Sequence, residues 1–344
     1  MQITQIIPYN HHVTQQYVTD LFAIKIKYRF KDVIKKFIAS AKNGDILTPA
    51  GDKYAEGSLR VYSTLLYWIE KYESTYDVVY LNDVNPNWVH LFIVFQAKYK
   101  LSKNAISQNV SKIKALLKRA YLSGITPYSG LDIPNVRSEK VSSMALNTED
   151  LVKLAKYDFS DRVGHERIRD LFVMNCFMAM RISDFLKFIK KPRMYIKQIN
   201  NFDYIDFYSE KTNTRSVIPV AYQVRHILEK YNFNFGKKFS SQHFNYYIKL
   251  IAKEVGLSDQ ILQRRTIGGE LVTQQKAKWQ MISSHTARRT FATMAEYLDM
   301  PRAKIMKLTG HKSEQSYLNY VQYTEIENAI KVRDHEIFKI NLYA

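Results

Sequence analysis

Apolar residues at helical spacing recur along most of this 344-residue chain, and they restrict it to a mainly helical fold. The clearest example is residues 101–124, in which an apolar residue falls every three or four positions. These apolar residues are Ile106, Val110, Ile113, Leu117 and Ala120. The spacing predicts one amphipathic helix that ends at Gly124.

Two more stripes predict helices earlier in the chain, one from Ser58 and one that opens at Asn85 and Pro86. The stripe of the first helix contains Leu59, Tyr62, Leu66 and Ile69. The stripe of the second contains Trp88, Leu91, Ile93 and Phe95. Together with residues 101–124, these segments predict a small helical bundle.

Basic residues outnumber acidic ones by 51 to 32, a net charge of +19 that implies a polyanionic partner. We find no signal peptide, amphipathic anchor or bilayer-length apolar run, so nucleic acid is favoured over a membrane.

The single cysteine, Cys176, excludes a disulfide framework and a cysteine-rich zinc site. It lies in an apolar run and is predicted to be a core residue of a cytoplasmic protein. No nucleotide-binding or metal-binding motif occurs, so we expect neither a cofactor nor a metal.

The other face of the helix at 101–124 carries short polar groups and lysines. These residues are Lys103, Asn104, Ser107, Gln108, Ser111, Lys114 and Lys118. Small side chains allow a sugar-phosphate backbone to come close, and lysines neutralise its phosphates. This pattern predicts a DNA-binding face, with a plain solvated face as the alternative.

The chain length suggests two domains. Residues 1–50 form a basic N-terminal arm or an extra helix against DNA, or else a solvated charged face; a short helix ends at Gly44. Residues 51–128 are the helical bundle, and residues 129–146 lack periodicity and form a linker. Residues 147–344 are a second domain, whose first helix has Asn147 as its N-cap.

Residues 283–324 combine side chains that suit phosphate chemistry. His285 and Arg288 lie one helical turn apart, and the planar fork of an arginine binds two phosphate oxygens at once. The stripe that packs this helix is predicted to be Phe291, Met294, Ala295 and Leu298. Pro301 starts the next helix and Gly310 ends it, which leaves His311 exposed in the turn.

Three tyrosines follow His311 closely. The hydroxyl of tyrosine titrates near ~10, so it attacks only where cations stabilise the developing charge. Tyr320, nine positions after His311, and Tyr323 are the candidate nucleophiles, whereas Tyr317 is expected to pack or hydrogen-bond. Taken alone, His285 could be a helix-start residue, Arg288 could belong to a solvated basic face, and the tyrosines could simply pack. Their joint pattern favours a site for phosphate chemistry.

Upstream, the apolar run DLFVMNCFMAMRISDFLKF predicts a buried helix that runs into Arg181. A cation at the edge of such a helix is costly unless it is paired or functional, and Asp184 is its expected partner. Two β-rich runs then flank a polar turn and predict a hairpin with Lys211 at its tip. Lys211 can donate a proton to a leaving oxygen, and Arg215 is its nearby competitor.

Together, M-R-I-S-D, K-T-x, H-T-A-R-R-T-F-A-T, L-T-G-H and the spaced tyrosine resemble the tyrosine recombinase (phage integrase) family. In that family a glycine is common where this chain has Ala179, a position that we interpret as concerned with packing. The resemblance implies a mainly α fold: an N-terminal helical core-binding (SAM-like) domain, then a mixed α/β, mostly helical, catalytic domain with a small β-hairpin sheet.

The resemblance also implies a function, site-specific DNA recombination without a cofactor. Tyr320 would form a 3′-phosphotyrosine, Arg181, Arg288, His285 and His311 would stabilise the transition state, and Lys211 would protonate the 5′ oxygen. Two rounds of strand exchange through a four-way junction would need a homotetramer on two sites in double-stranded DNA, with accessory DNA-bending proteins left open. In the family, a C-terminal helix such as 325–340 is passed to the adjacent protomer. The enzyme would act in the cytoplasm, on the nucleoid.

Two alternatives to a recombinase use the same sequence features. A type IB-like topoisomerase would relax supercoils with these residues and without sequence preference. A non-catalytic DNA-binding regulator would retain the scaffold alone, although all six catalytic positions are present here.

Overall fold

The computed structural model describes residues 27–322, 325–333, 337 and 339. Its contacts divide the chain into two compact units. Unit 1 comprises residues 1–140 and 265–272, and unit 2 comprises residues 141–264 and 273–344. Most of the predicted N-terminal arm, residues 1–26, lies outside the described residues. Within the described part of the chain, no helix combines the length and apolar character that crossing a membrane requires.

Among the described residues of unit 1, four helices pack around one core. They are α1 (Phe30–Asn43), α2 (Glu56–Glu73), α3 (Pro86–Lys98) and α4 (Lys103–Leu122). Local signals set their ends: the Asn85 side chain accepts the amide of Trp88 at 2.9 Å, and Gly44 ends α1 at φ 92°. Phe30 and Ile34 of α1 belong to the core that α2–α4 share, so the predicted boundary after residue 50 falls inside this unit.

Two predicted core positions in unit 1 are wrong by one residue. Leu65 is fully buried in α2, whereas Leu66 is only half-buried. In α3, Phe92 is fully buried and Leu91 is 57% exposed. Adjacent positions on a helix differ by about 100°, so only packing against neighbouring helices decides which of two apolar neighbours turns inward. The predicted inward face of α4 is correct at all five positions.

Unit 2 contains ten helices and a three-stranded antiparallel sheet in the order β1-β2-β3 among its described residues. The first helices are α5 (Thr148–Lys156), α6 (Val163–Cys176), α7 (Ile182–Phe188), α8 (Tyr222–Lys230) and α9 (Ser241–Glu254). The later ones are α10 (Lys278–Met281), α11 (Ser284–Tyr297), α12 (Arg302–Thr309), α13 (Glu314–Leu318) and α14 (Glu325–Val332). The strands of this sheet are β1 (Ile196–Ile199), β2 (Phe202–Ser209) and β3 (Thr214–Pro219). The core centres on α6, where Cys176 is buried, as predicted, and burial raises the pKa of its thiol.

The predicted single helix through Arg181 is instead two helices, because the chain turns between Cys176 and Ile182. Ala179 has a φ of 52°, in the left-handed region that favours glycine. The buried Asn175 side chain holds this turn by accepting the Met180 amide at 3.1 Å and donating to the Met180 carbonyl at 3.2 Å. The position therefore concerns backbone conformation, which corrects the packing interpretation. The turn also places Arg181 at the start of α7.

Residues 257–280, a polar and basic segment that precedes the stretch 283–324, contain two strands. These are β4 (Gln260–Ile267) and β5 (Glu270–Ala277), which pair in a separate sheet. Gly268 and Gly269 form the two-residue turn between them, with φ values of 62° and 87°. A Gly-Gly pair between two alternating runs is a strong hairpin signal, and it was overlooked in the sequence.

Helix α11 packs through small residues more than through the predicted stripe. Ala292 and Ala295 are buried, Phe291 and Met294 are half-buried, and Leu298 is 73% exposed. Small side chains let α11 lie close to α6. The close approach brings the functional side chains of α11 against the turn at Ala179.

Helix α14 begins after two residues, Tyr323 and Thr324, that lie outside the described part, so the structure does not describe Tyr323 as a candidate nucleophile. Lys331 of α14 donates to the carbonyls of Glu296 and Tyr297 at the end of α11 and pairs with Asp299 at 2.8 Å. A lysine at the carbonyl end of a helix is favourable. The described part of the terminal helix therefore contacts its own chain.

Candidate active site

Arg288 lies at the centre of the candidate site and is only 2% exposed. Its Nη1 donates to the carbonyl of Ala179 at 2.6 Å, and its Nη2 donates to the carbonyl of Thr309. Two backbone carbonyls from separate segments thus fix the guanidinium plane. Burial, and then the positive charge of Arg181, lower the pKa of Arg288 to about 10, so it remains charged at neutral pH.

His311 is half-buried beside Arg288, not exposed in the turn as predicted. Its Nε2 lies 3.1 Å from Nη2 of Arg288, and its Nδ1 lies 2.7 Å from Oγ1 of Thr309. A guanidinium can only donate, so Nε2 must accept and the ring proton must sit on Nδ1. The Oγ1 of Thr309 accepts a hydrogen bond from this Nδ1–H, and its own hydroxyl donates one to the carbonyl of Ile305 at 2.8 Å.

We expect His311 to stay neutral far below the usual histidine range. Burial, and then the charges of Arg288 and Arg181, lower its pKa to about 3. Ring-nitrogen chemical shifts of His311 measured by NMR from pH 7.5 to pH 5 should show an Nδ1–H tautomer that does not titrate. A midpoint near the ordinary value of about 6.5 would contradict this hydrogen-bond assignment.

Arg181 approaches the same place from the start of α7. Its Nη1 donates to Oγ of Ser209 at 2.9 Å, and Ser209 donates to Oδ2 of Asp184 at 2.9 Å. The acid therefore orients the arginine through a serine on β2 and not through the predicted direct pair. Gly310, which ends α12 at a φ of 65°, lies next to this guanidinium: a Cβ built there would be in ordinary van der Waals contact with Nη1 of Arg181, at 4.0 Å.

Lys211 is exposed in the turn between β2 and β3, as predicted. Its competitor, Arg215, is engaged elsewhere: it pairs with both oxygens of Asp206, at 2.9 and 2.8 Å. Arg215 lies opposite Tyr208 in the β2–β3 register, whereas the neighbouring residue Ser209 faces Arg181. Because side chains alternate between the two faces of a strand, Arg215 lies on the face away from Arg181.

His285 is exposed one turn before Arg288 on α11. Partial desolvation of its ring lowers the pKa, and the positive charges of Arg289 and Arg288 lower it further. Lys211 and Arg181 add smaller contributions of the same sign. His285 is therefore surrounded by the other cations and is mostly neutral at neutral pH.

Tyr320 and Tyr317 occupy different environments. Tyr320 is half-buried, with its ring centre 4.6 Å from that of His311 and 5.2 Å from Cζ of Arg288. Tyr317 is fully buried, and its hydroxyl donates to Oε2 of Glu296 at 2.5 Å. The expectation that Tyr317 packs and hydrogen-bonds agrees with this geometry.

The charges of the site are unbalanced. The Nε of Arg288 is buried and has no hydrogen-bond partner among the described residues. Its neighbours are two carbonyls and a neutral imidazole, with Asp184 acting at longer range. A buried cation without a paired anion is costly, so this arrangement favours an anionic ligand. Across the described ranges, no group of three or more histidine, cysteine, aspartate or glutamate side chains is placed to hold a metal.

The predicted DNA-binding face of α4 is partly covered by residues 133–139 of the same unit. Asn104 exchanges two hydrogen bonds with the backbone of Glu139, at 3.0 and 2.8 Å, and Ser107 donates to the carbonyl of Val136 at 2.6 Å. Lys114 donates to Ile133 and Asn135. The exposed remainder of the face is Gln108, Ser111 and Lys118, with Lys103 half-exposed. Short polar side chains here hold an extended chain segment, a use that the helical pattern alone did not reveal.

Sequence reasoning missed Ser209 and Thr309 as residues that position the site. Ser209 precedes Lys211 by two positions, and strand alternation around the predicted hairpin could have assigned it to the face of Arg181. Thr309 stands in the L-T-G-H run, two positions before the histidine it contacts. No sequence signal indicates that the carbonyls of Ala179 and Thr309 hold Arg288.

Comparisons with known proteins agree with this architecture. Residues 29–133 match the phage integrase SAM-like domain family. No curated protein matches the chain significantly. The XerH recombinase in a post-cleavage complex with palindromic difH is 14% identical, with a TM-score of 0.60 over 89% of this chain and 85% of that one.

Two other solved structures resemble the chain to a similar degree. The Tn1549 transposon integrase bound to circular intermediate DNA is 13% identical, with a TM-score of 0.60 over 90% of this chain and 100% of that one. A lambda integrase tetramer on a Holliday junction is 13% identical, with a TM-score of 0.61 over 93% of this chain and 86% of that one. The predicted fold is therefore confirmed: the protein has the tyrosine recombinase fold, and its residues 29–133 form a phage integrase SAM-like domain.

Proposed function

We propose that this protein is a site-specific DNA recombinase that cleaves and rejoins strands through a tyrosine linked to DNA. The observation that carries the proposal is the buried, anion-deficient guanidinium of Arg288, in contact with His311 and 5.2 Å from the ring centre of Tyr320. A phosphodiester supplies the missing negative charge, and a phenol lies beside it. The fold of solved recombinases that bind DNA supports the same conclusion.

In the proposed reaction, the Tyr320 phenol releases its proton to water and its oxygen attacks the scissile phosphorus, while the bond from phosphorus to the 5′ oxygen breaks. The products are a 3′-phosphotyrosine and a strand with a free 5′ hydroxyl. Arg181 and Arg288 stabilise the negative charge on the non-bridging oxygens, together with His285 and His311. Lys211, in its exposed turn, donates the proton that the 5′ oxygen gains.

The phosphoester energy is kept in the protein–DNA bond, so attack by a second 5′ hydroxyl is near neutral and needs no cofactor. Exchange of two strand pairs requires four active sites, which supports a homotetramer on two DNA sites; the lambda integrase of similar fold was solved as a tetramer on a Holliday junction. We place this activity on chromosomal DNA in the cytoplasm, because the proposed substrate lies there.

Covalent capture of nicked duplexes made from the DNA that flanks the gene tests this function. Cleavage next to the nick releases a short 5′-hydroxyl fragment, so the reaction cannot reverse. A 5′ label on the cleaved strand should migrate with the protein on a denaturing gel, whereas a 3′ label should be released. Retention of the 3′ label, or no capture on any flanking sequence, would contradict the proposed chemistry.

A further inference from the structure

A polar cavity of about 250 Å³ in unit 2 shares Arg289 with the surroundings of Tyr320. Its polar lining residues are Ser142, Ser143, Gln263, Lys276, Gln280 and Arg289. None of the described residues that line it is acidic. The cavity therefore carries two formal positive charges and no negative one. At about 30 Å³ per water, its volume admits a phosphate group together with several water molecules.

Arg289 connects this cavity to the candidate active site. Its Cζ lies 5.9 Å from the ring centre of Tyr320, against 5.2 Å for Arg288. Consecutive residues on a helix point about 100° apart, so the two guanidiniums diverge from adjacent positions on α11. Arg288 turns to the carbonyls of Ala179 and Thr309, whereas Arg289 lines the cavity.

One donor at the cavity lacks a hydrogen-bond partner. The Nε of Arg289 is buried and has none among the described residues. Gln280 uses its Oε1 to accept the Ala277 amide at 3.0 Å, which leaves its NH₂ group to donate. Burial lowers the pKa of Arg289, as expected for a cation whose charge is not matched by an acid. Buried donors of this kind normally have a partner, so the lining suits a ligand that accepts hydrogen bonds and carries negative charge.

We propose that the Arg289 cavity binds the DNA backbone phosphate next to the scissile phosphate on the cleaved strand. This inference rests on the proposed recombinase function. Adjacent arginines on one helix, both close to the Tyr320 ring, suit two neighbouring phosphates of one strand. Arg289 can hold two non-bridging oxygens with its planar fork, and Lys276 adds a point charge. Fixing a second phosphate orients the strand, so that the scissile phosphorus faces the attacking phenol.

Neutral phosphates on the captured substrate test the proposal. Each phosphate beside the scissile one is replaced in turn by an uncharged methylphosphonate, and initial rates of covalent capture are measured. At one position, we expect the wild-type rate to fall about ten- to a hundredfold, the equivalent of one charge-assisted hydrogen-bonded contact. Arg289→Gln should show a similar fall on normal DNA, and that methylphosphonate should then have no further effect. Effects that simply multiply at every adjacent position would overturn the assignment.

Matched variants control for general loss of charge or fold. Arg162→Gln removes an exposed arginine that pairs with Glu254, and it should leave the capture rate unchanged. Lys276→Gln removes the other positive charge of the cavity, which is located on β5. It should lower the capture rate less than Arg289→Gln does, and the double variant should be no slower than Arg289→Gln alone. Thermal unfolding shows whether each variant is folded. If Arg289→Gln is not folded, the phosphate site is tested instead by whether Lys276→Gln reduces the effect of the same methylphosphonate.

The salt dependence of DNA binding separates this inference from the proposed function, because it requires no cleavage. In a Tyr320→Phe background on a 30-base-pair duplex, log K falls with log salt by about 0.9 for each phosphate contacted. Arg289→Gln should reduce that slope by about one contact, and Arg162→Gln should not. An unchanged slope for Arg289→Gln would overturn the phosphate site. If Arg289→Gln reduces the slope but the wild type captures no DNA, only the proposed recombinase function is refuted.

Discussion

Replacement of Tyr320 by phenylalanine is expected to reduce covalent capture of DNA to background and to leave DNA affinity unchanged. The phenyl ring keeps its position beside His311 and Arg288, so the charge that attracts phosphate is retained. Only the attacking oxygen is lost, and with it the phosphotyrosine that Tyr320 would form. Denaturing gels measure capture, and fluorescence anisotropy measures binding.

Two other phenylalanine variants are the matched controls for Tyr320. Tyr317→Phe removes the hydrogen bond to Glu296, which should cost about 1 kcal/mol of stability or somewhat more while capture persists. Tyr323→Phe addresses the second candidate from the sequence. If Tyr323→Phe abolishes capture and Tyr320→Phe does not, the assignment of the nucleophile is wrong.

Replacement of Arg288 by methionine is expected to slow capture by about 10²–10³-fold, the typical loss when a donor to a developing oxyanion is removed. The same change leaves the carbonyls of Ala179 and Thr309 buried without their donor, at about 1–3 kcal/mol each. Stability and rate should therefore fall together. Thermal unfolding and single-turnover capture below the melting temperature measure the two effects separately.

Arg215→Met is the control for Arg288→Met, since both remove an arginine from unit 2. Arg215 is exposed, and its partner Asp206, whose side chain is 8% exposed, still pairs with Lys197 at 2.8 Å when Arg215 is removed. Arg215→Met should therefore leave the capture rate unchanged and lower stability less than Arg288→Met does. A folded Arg288→Met protein that captures DNA within tenfold of the wild type would exclude a central role for this guanidinium.

Much of the fold was predictable because the signals are local. Asn85, Asn147, Gly44 and Gly310 mark helix ends by their own side chains or conformations, and the structure has helix ends at each of them. The convergence of Arg181 and Arg288 was also expected, although only from the resemblance. Spacing along a chain cannot by itself bring together residues that are a hundred positions apart.

The errors arose where tertiary contacts decide. Ala179 takes a left-handed conformation against ordinary preference, since Asn175 and Arg288 hold the turn from both sides. His311 follows a helix-ending glycine, a position that is usually exposed, but Thr309 and Arg288 bind both of its ring nitrogens. The face of α4 looked free because the pattern of one helix contains no information about a segment thirty residues later.

Tyr317 is buried close to Tyr320, whose ring lies 5.2 Å from Cζ of Arg288 in the same chain. The Tyr317 side chain, three residues before Tyr320, is fully buried, and its hydroxyl donates a hydrogen bond to Glu296 of α11. Glu296 also pairs with Arg302 at 2.7 Å. The same helix carries Arg288. Each subunit would then cut with its own tyrosine, and donation of the nucleophile to a neighbour would require this anchor to unpack. In the proposed recombinase, the cutting residues would then all come from one chain.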